Sequence, residues 1–226
     1  MSSELNLLSN SVISSDSMGR YGVPNSPLSR VFDITIILIA LPFILLSFLI
    51  ISILILFDSK GRAIYSGIRI GKDGRRFKVL KFRTMVPNAE QVLKRYLDES
   101  PELKAEWLAT HKLKRDPRVT RVGAILRKFS LDELPQFWNI LVGDMSLIGP
   151  RPIVDAEIEK YGKCFELYIQ ARPGLTGLWQ VSGRSDTTYK QRVELDEYYL
   201  LNRSIKLDFQ ILLKTVYVVL GRKGAY

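Results

Sequence analysis

The alternation of apolar and polar positions divides the chain into one long uncharged block and a series of shorter, mixed segments. Residues 34–57, ITIILIALPFILLSFLIISILILF, form 24 consecutive positions without a charge. As a straight helix this block runs about 36 Å, against roughly 30 Å of bilayer hydrocarbon, so it is long enough to span a membrane. It is too long and starts too late for a removable signal peptide, and no small-residue cleavage site follows it. Nine Lys/Arg lie between Lys60 and Arg83, whereas the 30 residues before the block carry only Arg20 and Arg30. The positive-inside rule therefore places everything after residue 58 in the cytoplasm. Pro42 falls inside the block, where it removes a backbone hydrogen bond and kinks a helix. Two arrangements fit: a kinked spanning helix, or a re-entrant one that enters and leaves on the same face.

Beyond the block the periodicities shorten. RAIYSGIRIGKDGRRFKVLKFRTM (62–85) sets a Lys-Asp-Gly turn between two β-rich runs, which predicts a hairpin. Residues 88–114 are rich in Glu, Leu, Lys and Ala and predict helix, interrupted near Pro101. Asp116-Pro117 suggests a further helix entry, and Ser130 with Glu133 three residues on matches a capping box for a helix beginning near Leu131. The Gly/Pro content of 143–152 predicts an ordered loop. Residues 153–170, 189–202 and 205–220 read as helices, and 171–189 as loop with short extended pieces. The expected fold is mainly α with a small β-hairpin: a disordered tail (1–30), a membrane-embedded, Pro-kinked helix (31–58) and a cytoplasmic, membrane-associated domain (59–226).

Charge sharpens this picture. The chain of 226 residues carries a formal net charge of +10, but residues 60–130 hold 19 Lys/Arg against 7 Asp/Glu, and residues 131–226 hold 12 of each. A local basic region attracts phosphate-rich substrates, anionic lipid or nucleic acid. No helix-turn-helix, zinc-finger or RNA-binding signature accompanies it, so nucleic acid is not an expected partner. One cysteine, Cys164, and one histidine, His111, exclude an internal disulfide and a clustered Cys/His zinc site. Acid–base chemistry then falls to carboxylates, lysines or a bound metal.

RKFSLDELPQFWNILVGDMSLIGPRP (127–152) sets Asp132 and Glu133 side by side between a basic stretch and a turn. A purely structural explanation is available: two acids in the first turn of a helix, where the dipole favours negative charge. The chemical explanation is equally direct. A carboxylate needs no deprotonation at neutral pH, so a nucleophilic aspartate works without a histidine.

Several segments together resemble the bacterial sugar transferases of the monotopic phosphoglycosyl transferase type. They are RVFDI, RIGKDGRRFKVLKFRTM, DPRVTRVGAILRKFSLDELPQFWNILVGDMSLIGPRP, RPGLTGLWQVSGR and the terminal GAY, together covering most of the chain from Arg30 to Tyr226. The resemblance implies transfer of a sugar-1-phosphate from a UDP-sugar to polyprenyl (undecaprenyl) phosphate with release of UMP, initiating surface polysaccharide synthesis at the bacterial inner membrane. It implies that Asp132 attacks the sugar-bearing phosphate with Glu133 assisting, that Mg²⁺ binds at Asp132, and that the membrane segment is re-entrant. Galactose or glucose is the sugar that TGLWQVSGR most suggests, with a lean to galactose. A competing sugar transfer that leaves the diphosphate on the nucleotide often uses Asp-x-Asp, which this chain lacks.

Lys81 and Arg83 in KFRTM and Arg127, five residues before Asp132, are the candidate phosphate contacts; a surface charge is the alternative for each alone, and their company inside the family motifs favours function. Arg151 between two prolines is a further one, with a loop ion pair as the alternative. Thr176, Gln180 and Arg184 supply polar groups for nucleotide or sugar. Trp179 offers a stacking face, although tryptophan more often serves a core. The long C-terminal segment is compatible with a homodimer.

Overall fold

A computed structural model describes residues 27–110, 113, 116–183 and 187–221. Helix α1 (Pro27–Asp58) is continuous over 32 residues and holds Pro42 in its interior. It runs from Pro27, so the last four residues of the tail expected over 1–30 are helical, and residues 1–26 lie outside the described residues. One stripe of α1 docks on the rest of the chain. Asp33, Ile37, Ile51 and Ile55 are buried, with Ile44 and Phe48 packed between them, all at the helical spacing of a single face. The other faces are apolar and exposed, as at Leu38, Phe43, Leu46, Leu49 and Phe57. A soluble protein would cover such a surface; a membrane-embedded one does not have to.

Both ends of α1 are tied to the same domain. At the N-terminal end the Arg30 guanidinium donates to the carbonyls of Ile140 and Leu141, and Asp33 accepts from the Ser146 hydroxyl (2.8 Å) and the Leu147 amide (3.1 Å). At the C-terminal end Asp58 accepts from the Val122 amide (3.1 Å), and Arg83 donates to the carbonyls of Ser59 (2.7 Å) and Lys60 (2.5 Å).

The predicted hairpin is present. Strands β1 (Ile64–Ile70) and β2 (Arg76–Phe82) pair antiparallel, with Ile64 opposite Phe82 and Ile70 opposite Arg76. Their turn contains Lys72–Gly74, where Asp73 adopts a left-handed φ of 58°. Helices α2 (Ala89–Glu99) and α3 (Pro101–Thr110) meet at Ser100, the break that Pro101 predicts. Helix α4 (Arg121–Lys128) is capped by the Thr120 hydroxyl, three residues beyond Pro117; Asp116 instead pairs with Arg118.

The capping box at Ser130 is corrected by the structure. Ser130 sits in the left-handed region (φ 56°) and its side chain makes no capping bond. Leu131–Glu133 form a single 3-10 turn, and helix α5 (Gln136–Val142) begins only after Pro135. Asn139 on α5 locks this helix to β2: its side chain accepts from the Leu80 amide and donates to the Lys78 carbonyl.

Strand β3 (Ser146–Ile148) pairs parallel with β4 (Gly174–Thr176), a contact the sequence pattern did not reveal. Between them the chain is broken helix, with α6 (Ile158–Tyr161) and α7 (Cys164–Tyr168) separated at Gly162. A side chain at Gly174 would place its Cβ 2.1 Å from the Gly149 nitrogen, so only glycines allow the GPRP and RPGLTG loops to touch. The short α8 (Leu178–Val181) follows, then α9 (Tyr189–Asn202) and α10 (Ile205–Gly221), both where the periodicity puts them. The main core gathers Ile37, Val79, Ile140, Met145, Leu147, Tyr199 and Ile211 from six of these elements.

Candidate active site

The 3-10 turn at Leu131–Glu133 points both adjacent acids into one open cavity of about 1310 Å³. The left-handed Ser130 precedes this turn and Pro135 follows it, so the two acids stand between α4 and α5 rather than inside a regular helix. Asp132 is 15% exposed and Glu133 31%. Lys81, reaching across from β2, places its ammonium 2.7 Å from Glu133 Oε1 and 4.0 Å from Asp132 Oδ2. Arg127, in the last turn of α4, donates from Nε to the Thr84 hydroxyl (2.9 Å).

These neighbours do not cancel the cost of burying Asp132. Burial pushes its carboxyl up to about 6, with Lys81 opposing the rise, Glu133 adding to it and Arg127 opposing it. The site thus holds an aspartate that is more basic than usual yet ionised in the neutral range.

All eight predicted site residues within the described chain line this cavity: Lys81, Arg83, Arg127, Asp132, Glu133, Arg151, Thr176 and Gln180. Their individual settings differ. Arg83 spends its terminal N–H groups on the carbonyls just after α1, so it clamps the end of this apolar helix beside the site. Thr176 shares a 2.7 Å bond with Thr215, whose hydroxyl also donates to the Ile211 carbonyl. Gln180 donates to the Leu175 carbonyl (3.1 Å), and its buried Oε1 has no partner among the described residues. Trp179 is buried, but its ring lies 5.9 Å from the Arg151 guanidinium and 4.7 Å from that of Arg192. Arg184 lies outside the described residues.

Sequence reasoning missed three contributors. Thr84 positions Arg127, and Arg192 lines the cavity from α9. Arg69, on β1, lines an adjoining recess together with Lys81, Glu133, Arg151 and Gln180. Burial and the Arg151 charge both lower the pKa of Arg69 and of Arg192, while Glu157 raises both, so Arg151 acts on each of the other two arginines. Only strand alternation hinted at Arg69, and nothing local marked Arg192.

The donor set also bears on a divalent cation. Among the described residues no group of three His, Cys, Asp or Glu forms a metal cage. Mg²⁺ does not require one, since it is held by one or two carboxylates with phosphate oxygens and water completing the shell. Two adjacent hard carboxylates in an open cavity fit that requirement.

Sequence comparison supplies the class. The description "Bacterial sugar transferase" matches residues 24–222, and the chain belongs to that family. Individual relatives narrow the likeness. Over 199 residues the chain is 50% identical to the UDP-galactose-lipid carrier transferase of Erwinia amylovora, covering 88% of this chain and 42% of that one. It is 47% identical over 197 residues to the exopolysaccharide production protein ExoY of Sinorhizobium fredii, covering 87% of each. It is 53% identical over 166 residues to the undecaprenyl-phosphate galactose phosphotransferase of Salmonella typhimurium, covering 74% of this chain and 35% of that one. The chain therefore spans less than half the length of the first and third of these relatives.

Proposed function

We propose that this chain transfers a hexose-1-phosphate from a UDP-sugar to undecaprenyl phosphate at the cytoplasmic face of the inner membrane, with Asp132 as nucleophile. The observation that carries the reading is Asp132 itself, partly open to a cavity that also presents Lys81, Arg127 and Arg151. An Asp132 oxygen attacks the sugar-bearing phosphorus; a P–O bond forms to the carboxylate and the bridging P–O bond breaks, UMP leaving with the electron pair. A phosphate oxygen of the lipid then attacks the same phosphorus, and the Asp132–phosphorus bond breaks to return the carboxylate. No proton is consumed in either step, so the chemistry needs no histidine.

Lys81 and Arg127 offset the negative charge brought to Asp132 by two anionic substrates. Arg69 and Arg151 in the recess and Arg192 in the cavity that Arg151 also lines supply cations for the donor diphosphate, with Gln180 Oε1, unpaired among the described residues, available to a sugar hydroxyl or the uracil N–H. Mg²⁺ bound at Asp132 or Glu133 would act as a Lewis acid on the diphosphate. Two relatives whose names specify galactose favour UDP-galactose as donor. EDTA should stop turnover and Mg²⁺ restore it.

A re-entrant α1 fits the same scheme. Arg30 and Asp33 at one end and Asp58 at the other bind one domain, which sits on one side of the bilayer. A cysteine introduced at Ser14 in a Cys164→Ser background should resist an impermeant thiol reagent in intact cells; labelling there would establish a spanning helix. The activity is tested by supplying UDP-galactose and undecaprenyl phosphate and identifying the nucleotide released. UMP supports the proposal, UDP indicates transfer of the bare sugar, and neither leaves a membrane-tethered binding protein.

A further inference from the structure

The cavity has two chemistries. Around Asp132 it is charged; away from it the wall is Ile36 and Ala40 of α1, Phe137, Leu147, and Leu212 and Val219 of α10. Ile36, Phe137, Leu147 and Leu212 pack against one apolar cluster, so this wall is contiguous. Ala40 continues the Ile36 face one turn along α1, and Val219 continues the Leu212 face two turns along α10. The hydroxyls on this side, Thr176 and Thr215, are bonded to each other and to the Ile211 carbonyl, so they offer an approaching chain little reason for polar contact.

Both flanking helices also carry exposed apolar outer faces. On α1 these include Leu38, Ile39 and Phe43, and on α10 Ile205, Phe209, Leu213, Val216 and Tyr217. One cavity lined by both helices thus joins this apolar wall to the catalytic acids. We infer that the passage between α1 and α10 seats the first isoprene units of the polyprenyl phosphate acceptor, aiming its phosphate at Lys81 and Arg127 beside Asp132. This rests on the transferase reading above. Continuity with the charged pocket distinguishes the acceptor from a bulk phospholipid, which needs no path to Asp132.

Two measurements test the seat. In the first, Ala40→Trp and Leu212→Trp each fill the passage. The KM for undecaprenyl phosphate should rise at least about tenfold, while the KM for UDP-galactose stays within about twofold. A short acceptor with two isoprene units still occupies the seat and should be affected about as much as the long one. Unchanged acceptor KM in both variants overturns the seat. The second uses the wild-type protein and a benzophenone-bearing polyprenyl phosphate. Crosslinks should fall on peptides containing residues 36–40 and 212–219, and undecaprenyl phosphate but not phosphatidylglycerol should compete them away. Crosslinks confined elsewhere, or competed equally by the phospholipid, would also overturn it. Wild-type UMP release separates the two levels: its absence refutes the transferase reading, whereas normal release with untouched passage walls refutes the seat alone.

Discussion

Asp132 and Asp196 are both aspartates whose carboxyls burial pushes up, to about 6 and about 8 respectively. An arginine of the cavity also acts on each, Arg127 on Asp132 and Arg151 on Asp196, but their access to solvent differs. Asp196 is fully enclosed on α9, where its Oδ2 accepts from the Tyr161 hydroxyl at 2.8 Å among Tyr168, Cys164 and Val193. Asp132 stands at the wall of an open cavity, with Lys81 and Arg127 acting on it from two different elements. A perturbed acid is therefore not in itself a functional one. Access for a substrate and converging cations that can stabilise a charged reaction separate the two.

The largest expected effect breaks the pair apart directly. Asp132→Asn should lower kcat by at least about 10³-fold, because the attacking oxygen is lost, while the protein still accumulates in membranes. Asp196→Asn keeps an acceptor for Tyr161 and should cost less than about tenfold. Equal losses in the two variants would erase the distinction drawn between them.

Next in size are the partners of the dyad. Glu133→Gln and Lys81→Met should each reduce turnover by roughly 10²-fold, the scale of one positioned acid–base or electrostatic group. Lys81→Met should do something further. The ammonium favours ionised Asp132, so removing it raises the Asp132 pKa, and the acid limb of the pH–rate profile should move to higher pH. An acid limb that stays in place would show that the profile reports another group.

Smallest is an effect on stability. Because the folded-state pKa of Asp132 lies above its ordinary value of 3.8, its stabilising contribution is complete below that value and is lost as pH rises through about 6. Asp132→Asn never carries the charge. In EDTA, the variant should be more stable than wild type above pH 6, by about 1–3 kcal/mol, with the gap closing towards pH 4. Thermal unfolding at the two ends of that range measures it, and a gap independent of pH would exclude desolvation of Asp132 as its cause.

Much of this architecture could be read from the chain because its signals are local. An uncharged run of 24 residues, a Lys-Asp-Gly turn between β-rich strands and the apolar spacing after Tyr189 each specify their element without distant help. The β3–β4 pair could not be read in this way: its three-residue strands lie far apart in sequence, and what joins them is a glycine contact, Gly149 against Gly174. Ser130 misled for the opposite reason. Ser-x-x-Glu is a cap pattern, but Lys81 claims the Glu133 carboxylate, and the left-handed Ser130 turns the chain towards the cavity. Arg127 and Arg151 stood out through their motifs, whereas Arg69 and Arg192 join the site only through folding of the hairpin and of α9.

The claim that Asp132 is the nucleophile has one direct test. Purified protein in detergent with Mg²⁺ is incubated with UDP-galactose and no lipid acceptor, and then analysed for nucleotide and by peptide mass spectrometry. The account predicts a burst of UMP no larger than the amount of enzyme, with a hexose phosphate attached to the peptide carrying Asp132, and neither in Asp132→Asn. Full turnover when both substrates are present, with no UMP burst and no modified peptide when the acceptor is withheld, would contradict it and indicate direct transfer between the bound substrates.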